Sequence, residues 1–190
     1  MQFRESGMPP KDYWESLFNV PLILDQFGFG PETGNVAELG CGYGTFSVPL
    51  AQRIRESVYA IDTDPRMVAA TRVRAVQAGL SNLHVCFGDV LVNGFGCLPG
   101  SCDACLLFNI LHCETPVEVL RAARHVVRPG GLIAAIHWRS DVPTPRGPSL
   151  AVRPSAGQIA GWAATAELQV EGTEFLLPPW HFGLRLHRAS

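Results

Sequence analysis

The chain has 190 residues, 47% of them apolar and 17% charged, with a formal net charge of −2. A domain of about 150 residues already hides roughly 68–70% of its unfolded surface, so one sizeable core is within reach. The near-neutral balance excludes a large phosphate-tracking face, because nucleic-acid binders carry a clear basic excess.

Residues Met1 to Lys11 mix Arg4, Glu5, Pro9 and Pro10 and contain no apolar signal core. No run approaches the roughly 20 apolar residues that span a bilayer. A cytoplasmic protein without nucleic-acid or membrane partners is therefore expected. A first helix is predicted over Tyr13 to Phe27, a strand over Asn35 to Leu39, and after a glycine turn a helix over Thr45 to Ile54. Val58 to Ile61 reads as the next strand, ending at Asp62, and Pro65 opens a helix running to Gln77. Strands follow at Leu83 to Phe87 and Ala104 to Phe108. Thr115 caps a helix that Pro116 opens and that runs to Val127. Arg128-Pro-Gly-Gly131 stops it and feeds a strand over Leu132 to Trp138. The segment 139–154 holds four prolines and a glycine and reads as a loop. A helix near Ser155 to Thr165 then precedes strands at Leu168 to Leu176 and His181 to His187. Leu177 to Trp180 is too short for a helical crossover, so these two strands should pair antiparallel. Short apolar runs alternating with helical stretches point to stacked βα units on a parallel sheet.

Six cysteines, Cys41, Cys86, Cys97, Cys102, Cys105 and Cys113, lie within apolar periodic segments, as buried reduced thiols do. Cys102 and Cys105 have CxxC spacing but no second pair to complete a metal site. In an extended strand they would face opposite sides. No metal is expected.

The segment Glu38-Leu-Gly40-Cys41-Gly42-Tyr-Gly44 follows a strand and opens a helix, where the backbone must turn sharply and approach a ligand closely. Asp62 stands 22 residues after Gly40 at the end of the next strand, where a carboxylate can accept from both hydroxyls of a ribose. The glycines run G-x-G-x-G, unlike the dinucleotide fingerprint, and Thr45 is not the small residue that fingerprint needs. Glu38, two residues before the first glycine, would repel a pyrophosphate but suits a ligand carrying sulfonium and ammonium groups. Asp89, in Gly88-Asp89-Val90 after the third strand, can accept from an exocyclic adenine amine.

Together with Leu120 to Gly131, the segments Val36 to Thr45, Ala60 to Pro65 and Gly88-Asp89 resemble the ordered motifs of class I S-adenosylmethionine-dependent methyltransferases of the small-molecule type. The resemblance covers roughly Asn35 to Trp138. It implies an α/β three-layer sandwich, with a seven-stranded, mostly parallel sheet whose last strand is antiparallel. It also implies S-adenosylmethionine as cofactor. Glu38, Gly40, Cys41 and Gly42 would line its methionine end, and Asp62 would hold the ribose. Thr63 and Val90 would flank the adenine, Asp89 would meet its amine, and Phe108 and Asn109 would border the methionine and the acceptor entrance. A single domain is expected: a helical lid over residues 1–34, a cofactor core over 35–138, a substrate loop over 139–154, and a terminal helix and hairpin over 155–190.

After the fourth strand the chain reads Phe108-Asn-Ile-Leu-His-Cys-Glu114, without the Asn/Asp-Pro-Pro-Tyr run of enzymes acting on planar amino nitrogens. His112 is the candidate general base, its unperturbed pKa of about 6.5 suiting proton removal near neutrality, with Asn109 beside it. Tyr13, Trp14, His137, Arg139 and Arg146 are the expected acceptor-side residues, with Trp138, Arg153, Trp180 and His181 close by. With no inserted substrate domain, the acceptor should be small, and a homodimer or other partner could complete its site. Two other readings carry their own discriminators. A non-catalytic S-adenosylmethionine-binding accessory module would show a closed acceptor cleft. A nicotinamide-dependent oxidoreductase would call for a Tyr-x-x-x-Lys pair, which is absent.

Overall fold

The computed structural model describes residues 7–189. Seven strands form one sheet in the order β3-β2-β1-β4-β5-β7-β6: β1 (Val36–Leu39), β2 (Val58–Asp62), β3 (Leu83–Phe87), β4 (Cys102–Phe108), β5 (Val127–Trp138), β6 (Leu168–Leu177) and β7 (His181–Arg188). The first five run parallel, and β7 runs antiparallel to both β5 and β6. The three-layer sandwich with one reversed strand is therefore present. The strand order reverses between β1 and β4, which opens a crevice beyond their carboxyl ends.

The helices pack on both faces and bury two apolar layers. One layer lies under α2 (Val20–Gln26), α3 (Ser47–Arg53) and α4 (Pro65–Gln77). The other lies under α5 (Val90–Asn93), α6 (Pro116–Val126) and α7 (Ala156–Thr165). Helix α6 turns Val119, Leu120, Ala123 and Val126 inward, the i, i+1, i+4, i+7 spacing of one helical face.

Several expected boundaries shift for physical reasons. The single helix expected over 13–27 is two: α1 (Lys11–Glu15) and α2. Pro21 has no N–H to offer the carbonyl of Leu17, and the side chain of Asn19 accepts from Leu22 N at 3.2 Å, starting a new helix there. The first six residues of the expected lid lie outside the described residues. Strand β5 opens at Val127, paired with Cys102, before regular register resumes at Ala104↔Leu132. That irregularity also corrects the CxxC expectation: Cys102 and Cys105 fall in the same buried layer rather than on opposite faces. The helix α5 was not foreseen; Asp89 caps it by accepting from Leu91 N at 2.9 Å. Among the described residues no helix is long and apolar enough to cross a membrane, and no group of His, Cys, Asp and Glu could hold a metal.

Candidate functional site

The glycine loop sits at the β1 end of the crevice, and its backbone demands are local. Gly40 has φ +78°, and a Cβ there would stand 2.7 Å from Ile110 Cδ1. Gly42 has φ +53° and faces Met8. Side chains are unwelcome at both places. Thr71 Oγ1 donates to Gly42 O at 2.8 Å, and Arg74 Nη1 donates to Tyr43 O at 2.6 Å while pairing with Glu15 at 2.6 Å, so α4 holds the loop from behind.

Three sequence-expected residues converge on this loop. Glu38, only 1% exposed, accepts from Ser47 Oγ. Burial pushes its carboxyl up to about 8, the Ser47 bond opposes the rise, and the nearby Asp62 charge adds to it. Asp62 accepts from Gly42 N and Asp64 N, each at 2.9 Å, which ties the end of β2 to the loop. Burial raises its carboxyl, while those two backbone bonds hold it down. A carboxylate has about four acceptor positions, so Asp62 keeps capacity for a diol. Asn109 ends β4 in the left-handed region at φ +57°, 8% exposed, with both amide atoms unpartnered. A buried amide in a sparsely populated conformation, without a partner among the described residues, makes Asn109 a candidate for a ligand contact.

The other expected residues fall into groups. Cys41 is buried, its thiol pushed up by burial and by the Glu38 and Asp62 charges, so it stays neutral and offers the site its backbone. Thr63 is exposed beside Asp62, whereas Val90 is buried in the apolar layer under α5. The Phe108 ring packs edge-on against Phe46 at 4.8 Å and stacks with Phe27 at 5.8 Å. Sequence reasoning passed over Thr45, judged only for its size, yet its hydroxyl is buried and unpartnered beside the glycines. A group with a positive ammonium, a carboxylate and a ribose fits this donor and acceptor set: Glu38 for the cation, Thr45, Asn109 and loop N–H groups for polar ends, and Asp62 for the diol.

His112 (9% exposed) lines a cavity of about 480 Å³ between the segment after β4, α6, Val152 and α7, to which neither the glycine loop nor Asp62 nor Asn109 contributes. His137 is fully buried in β5 and is absent from the lining of this cavity. Its Nδ1 lies 3.4 Å from Trp138 O, an oxygen that only accepts, so Nδ1 carries the proton. Burial, then the His112 charge, lowers its pKa to about 3, leaving a neutral ring. Its Nε2 accepts, and His112 Nδ1, 3.4 Å away, donates to it.

Tyr13 reaches Pro145 O at 3.4 Å, and Arg146 donates to Gly7 O, so the lid and the 139–154 loop touch each other. Trp14 packs edge-on against Phe18 at 4.8 Å. Arg139 is drawn off to Asp141, with contacts at 2.6 and 2.9 Å, and does not reach the cavity. Arg153 binds Pro148 O and Arg139 O at 2.7 Å each and lies over the buried Trp138 ring, fastening the loop. His181 is buried against Phe18 and Trp138.

A family model described as a methyltransferase domain matches residues 36–131, half of the chain. A ubiquinone biosynthesis O-methyltransferase of Ralstonia nicotianae is 28% identical over 192 residues, which cover 87% of this chain and 78% of that protein. The chain spans only 13 to 54% of the length of other curated relatives it matches. A solved S-adenosylmethionine-dependent methyltransferase from Aquifex aeolicus shares the fold, with TM-score 0.80, 23% identity and 93 and 92% of the two chains covered. The fold is shared at TM-score 0.75 by the [4+2]-cyclase SpnF, 14% identical, with 98% of this chain and 86% of that one covered. A glycine loop backed by a buried acid, a second acid at the end of the next strand tied to that loop, and the matched family model agree: the chain belongs to the methyltransferase domain family, the class I enzymes that use S-adenosylmethionine.

Proposed function

We propose that the chain moves a methyl group from S-adenosylmethionine to a hydroxyl of a small-molecule acceptor, by in-line displacement with His112 as general base. The observation that carries this reading is the position of His112: it lines the cavity, and its Nδ1 donates to His137. Its Nε2 then holds the lone pair that takes a proton. The O-methyltransferase relatives favour a hydroxyl acceptor, and the modest size of the cavity favours a small one.

The cofactor supplies an electrophilic methyl on a sulfonium; the chain supplies position and proton handling. Glu38 would hold the ammonium, Asp62 the ribose hydroxyls and Asp89 the adenine amine, with Thr63 and Val90 beside the base. Asn109 would orient the methionine end toward the acceptor. His112 Nε2 would remove the hydroxyl proton as the new bond forms, a contribution worth about 10²–10⁴-fold where a base is needed. Alignment of oxygen, methyl and sulfur accounts for the rest. The 139–154 loop and the lid would close over the acceptor, with Arg146 and Tyr13 as their contacts.

The reading is tested by radiolabelled methyl transfer to a panel of phenols and catechols, with a ribosomal RNA transcript as the rival acceptor. Transfer to a small hydroxyl compound, lost about 100-fold in His112→Ala, is the expected outcome. Transfer to RNA alone, or to neither while the cofactor still binds, would overturn it.

A further inference from the structure

The cofactor and acceptor sites lie at the carboxyl ends of the strands. At the opposite end, where β4 begins, two thiols meet. Cys97 Sγ lies 3.6 Å from Cys102 Sγ, the two residues joined by a tight turn. In that turn Ser101 donates to Leu98 O through both its N–H, at 3.2 Å, and its hydroxyl, at 2.7 Å. Gly100, at φ +65°, donates to His125 O at 2.9 Å and pins the turn to α6.

The two thiols differ in exposure. Cys102 is fully buried. Cys97 is half-buried and lines a second cavity, of about 260 Å³, together with Val90, Phe95, Pro99 and His125. The two sulfurs share one S–H···S contact, and this is the main cause that brings Cys97 down to about 7, against the opposing effect of burial. The same bond and burial push Cys102 up. An accessible sulfur with thiolate character beside a protonated, sheltered one is the arrangement of an attacking and a resolving thiol. A disulfide needs about 2.05 Å between sulfurs, and Cys97 to Ser101 lie outside helix and strand, where a side chain and its turn can close that gap.

We propose that Cys97 and Cys102 form a reactive dithiol, a modification site that captures a small-molecule disulfide at Cys97 and closes into an intramolecular bridge. The Cys97 thiolate attacks one sulfur of the small disulfide, and the other sulfur leaves as a thiolate. Cys102 loses its proton to solvent, attacks Cys97 Sγ and expels the second thiolate. The small disulfide gains two electrons and becomes two thiols; the protein pair loses two and becomes one disulfide.

The test uses the native full chain and the aromatic disulfide dithiobis(nitrobenzoate). The expected result is two equivalents of nitrothiobenzoate released, none left on the protein, and a mass lower by about 2 Da. Cleavage before aspartates yields residues 89–102, a peptide whose only cysteines are Cys97 and Cys102, and the bridge should lie in it. Cys102→Ser should release one equivalent and keep the adduct on Cys97, with a melting curve showing that this variant is folded. A stable adduct on wild-type Cys97, a first reaction at half-buried Cys86, or a native chain that reacts only after denaturation would each overturn the proposal. The wild-type mapping decides without any variant.

Discussion

Glu38 gives the cofactor site a proton signature. With its carboxyl raised to about 8, it is mostly protonated at pH 7 and must ionise to meet an ammonium group. Titration with S-adenosylhomocysteine at pH 7 in buffers of different ionisation enthalpy should therefore show close to one proton released per molecule bound. Glu38→Gln should abolish the release, and an unchanged value would remove Glu38 from the contact. Replacing Asp62 by Ala should weaken S-adenosylhomocysteine by about 1.5–3 kcal/mol, the worth of a hydrogen bond to a charged group; unchanged affinity would detach it from the ribose. Under the proposed mechanism His137 would act through His112, 3.4 Å away. His137→Phe removes the acceptor for His112 Nδ1, so kcat should fall about 10–100-fold with S-adenosylhomocysteine affinity intact, and Gln should restore part of the rate. Equal loss of affinity and rate would make His137 merely structural. The positions of Glu38 and Asp62 were legible because each lies at the carboxyl end of a strand, at a fixed offset from the glycines. The orphaned hydroxyl of Thr45 and the His112–His137 bond were not, since both depend on which atoms tertiary packing leaves without, or supplies with, a partner.

At the scale of elements, helix starts read well where a proline follows the N-cap: Asp64 caps the helix that Pro65 opens by accepting from Arg66 N, whereas Thr115, expected to cap the helix that Pro116 opens, makes no side-chain cap bond although the helix starts there. They read poorly where a cap interrupts an otherwise continuous pattern. The residues from Tyr13 to Phe27 are apolar enough for one helix, and the break shows only through Asn19 and Pro21. Helix α5 is too short to show a period at all. Ser155 and Gln158 form a reciprocal capping box on α7, whose Ile159 and Ala163 pack in the core. Ser155→Ala should cost about 0.5–2 kcal/mol in urea unfolding; no change would mean that α7 owes nothing to its cap. The 139–154 segment was read as a loop; it holds a 3-10 turn over Leu150–Val152, and its order comes from Arg153 clasping Pro148 and Arg139, contacts that composition does not announce.

For the whole molecule, three buried groups and the half-buried Cys97 thiol bear on the pH dependence of stability. Buried His137 and His181, both lowered to about 3 from an ordinary 6.5, stay neutral in the fold while the unfolded chain binds protons, so stability falls as pH drops below 6.5. Glu38 works the other way: between its ordinary 4.5 and about 8 the fold holds a proton that the unfolded chain releases, so stability falls as pH rises through that window. Two histidines outweigh one carboxyl below 6.5, at about 1.4 kcal/mol per group and pH unit. Above pH 7 the lowered Cys97 thiol favours the fold as pH rises and opposes Glu38. The urea midpoint should therefore rise up to pH 6.5, and in Cys97→Ser it should fall from there to pH 8, a fall that adding Glu38→Gln should flatten. A Cys97→Ser midpoint that keeps rising to pH 8 would contradict the burial of an ionisable Glu38. The fold as a whole was legible because the glycine loop and the acids on successive strands each mark the same end of one sheet, whereas the acceptor site is assembled from segments far apart in the chain. The most direct test of the central claim is calorimetric titration of the chain with S-adenosylhomocysteine and, separately, with NAD. Binding of S-adenosylhomocysteine at one site per chain and none of NAD is the result expected. Tight NAD binding without S-adenosylhomocysteine binding would contradict the account.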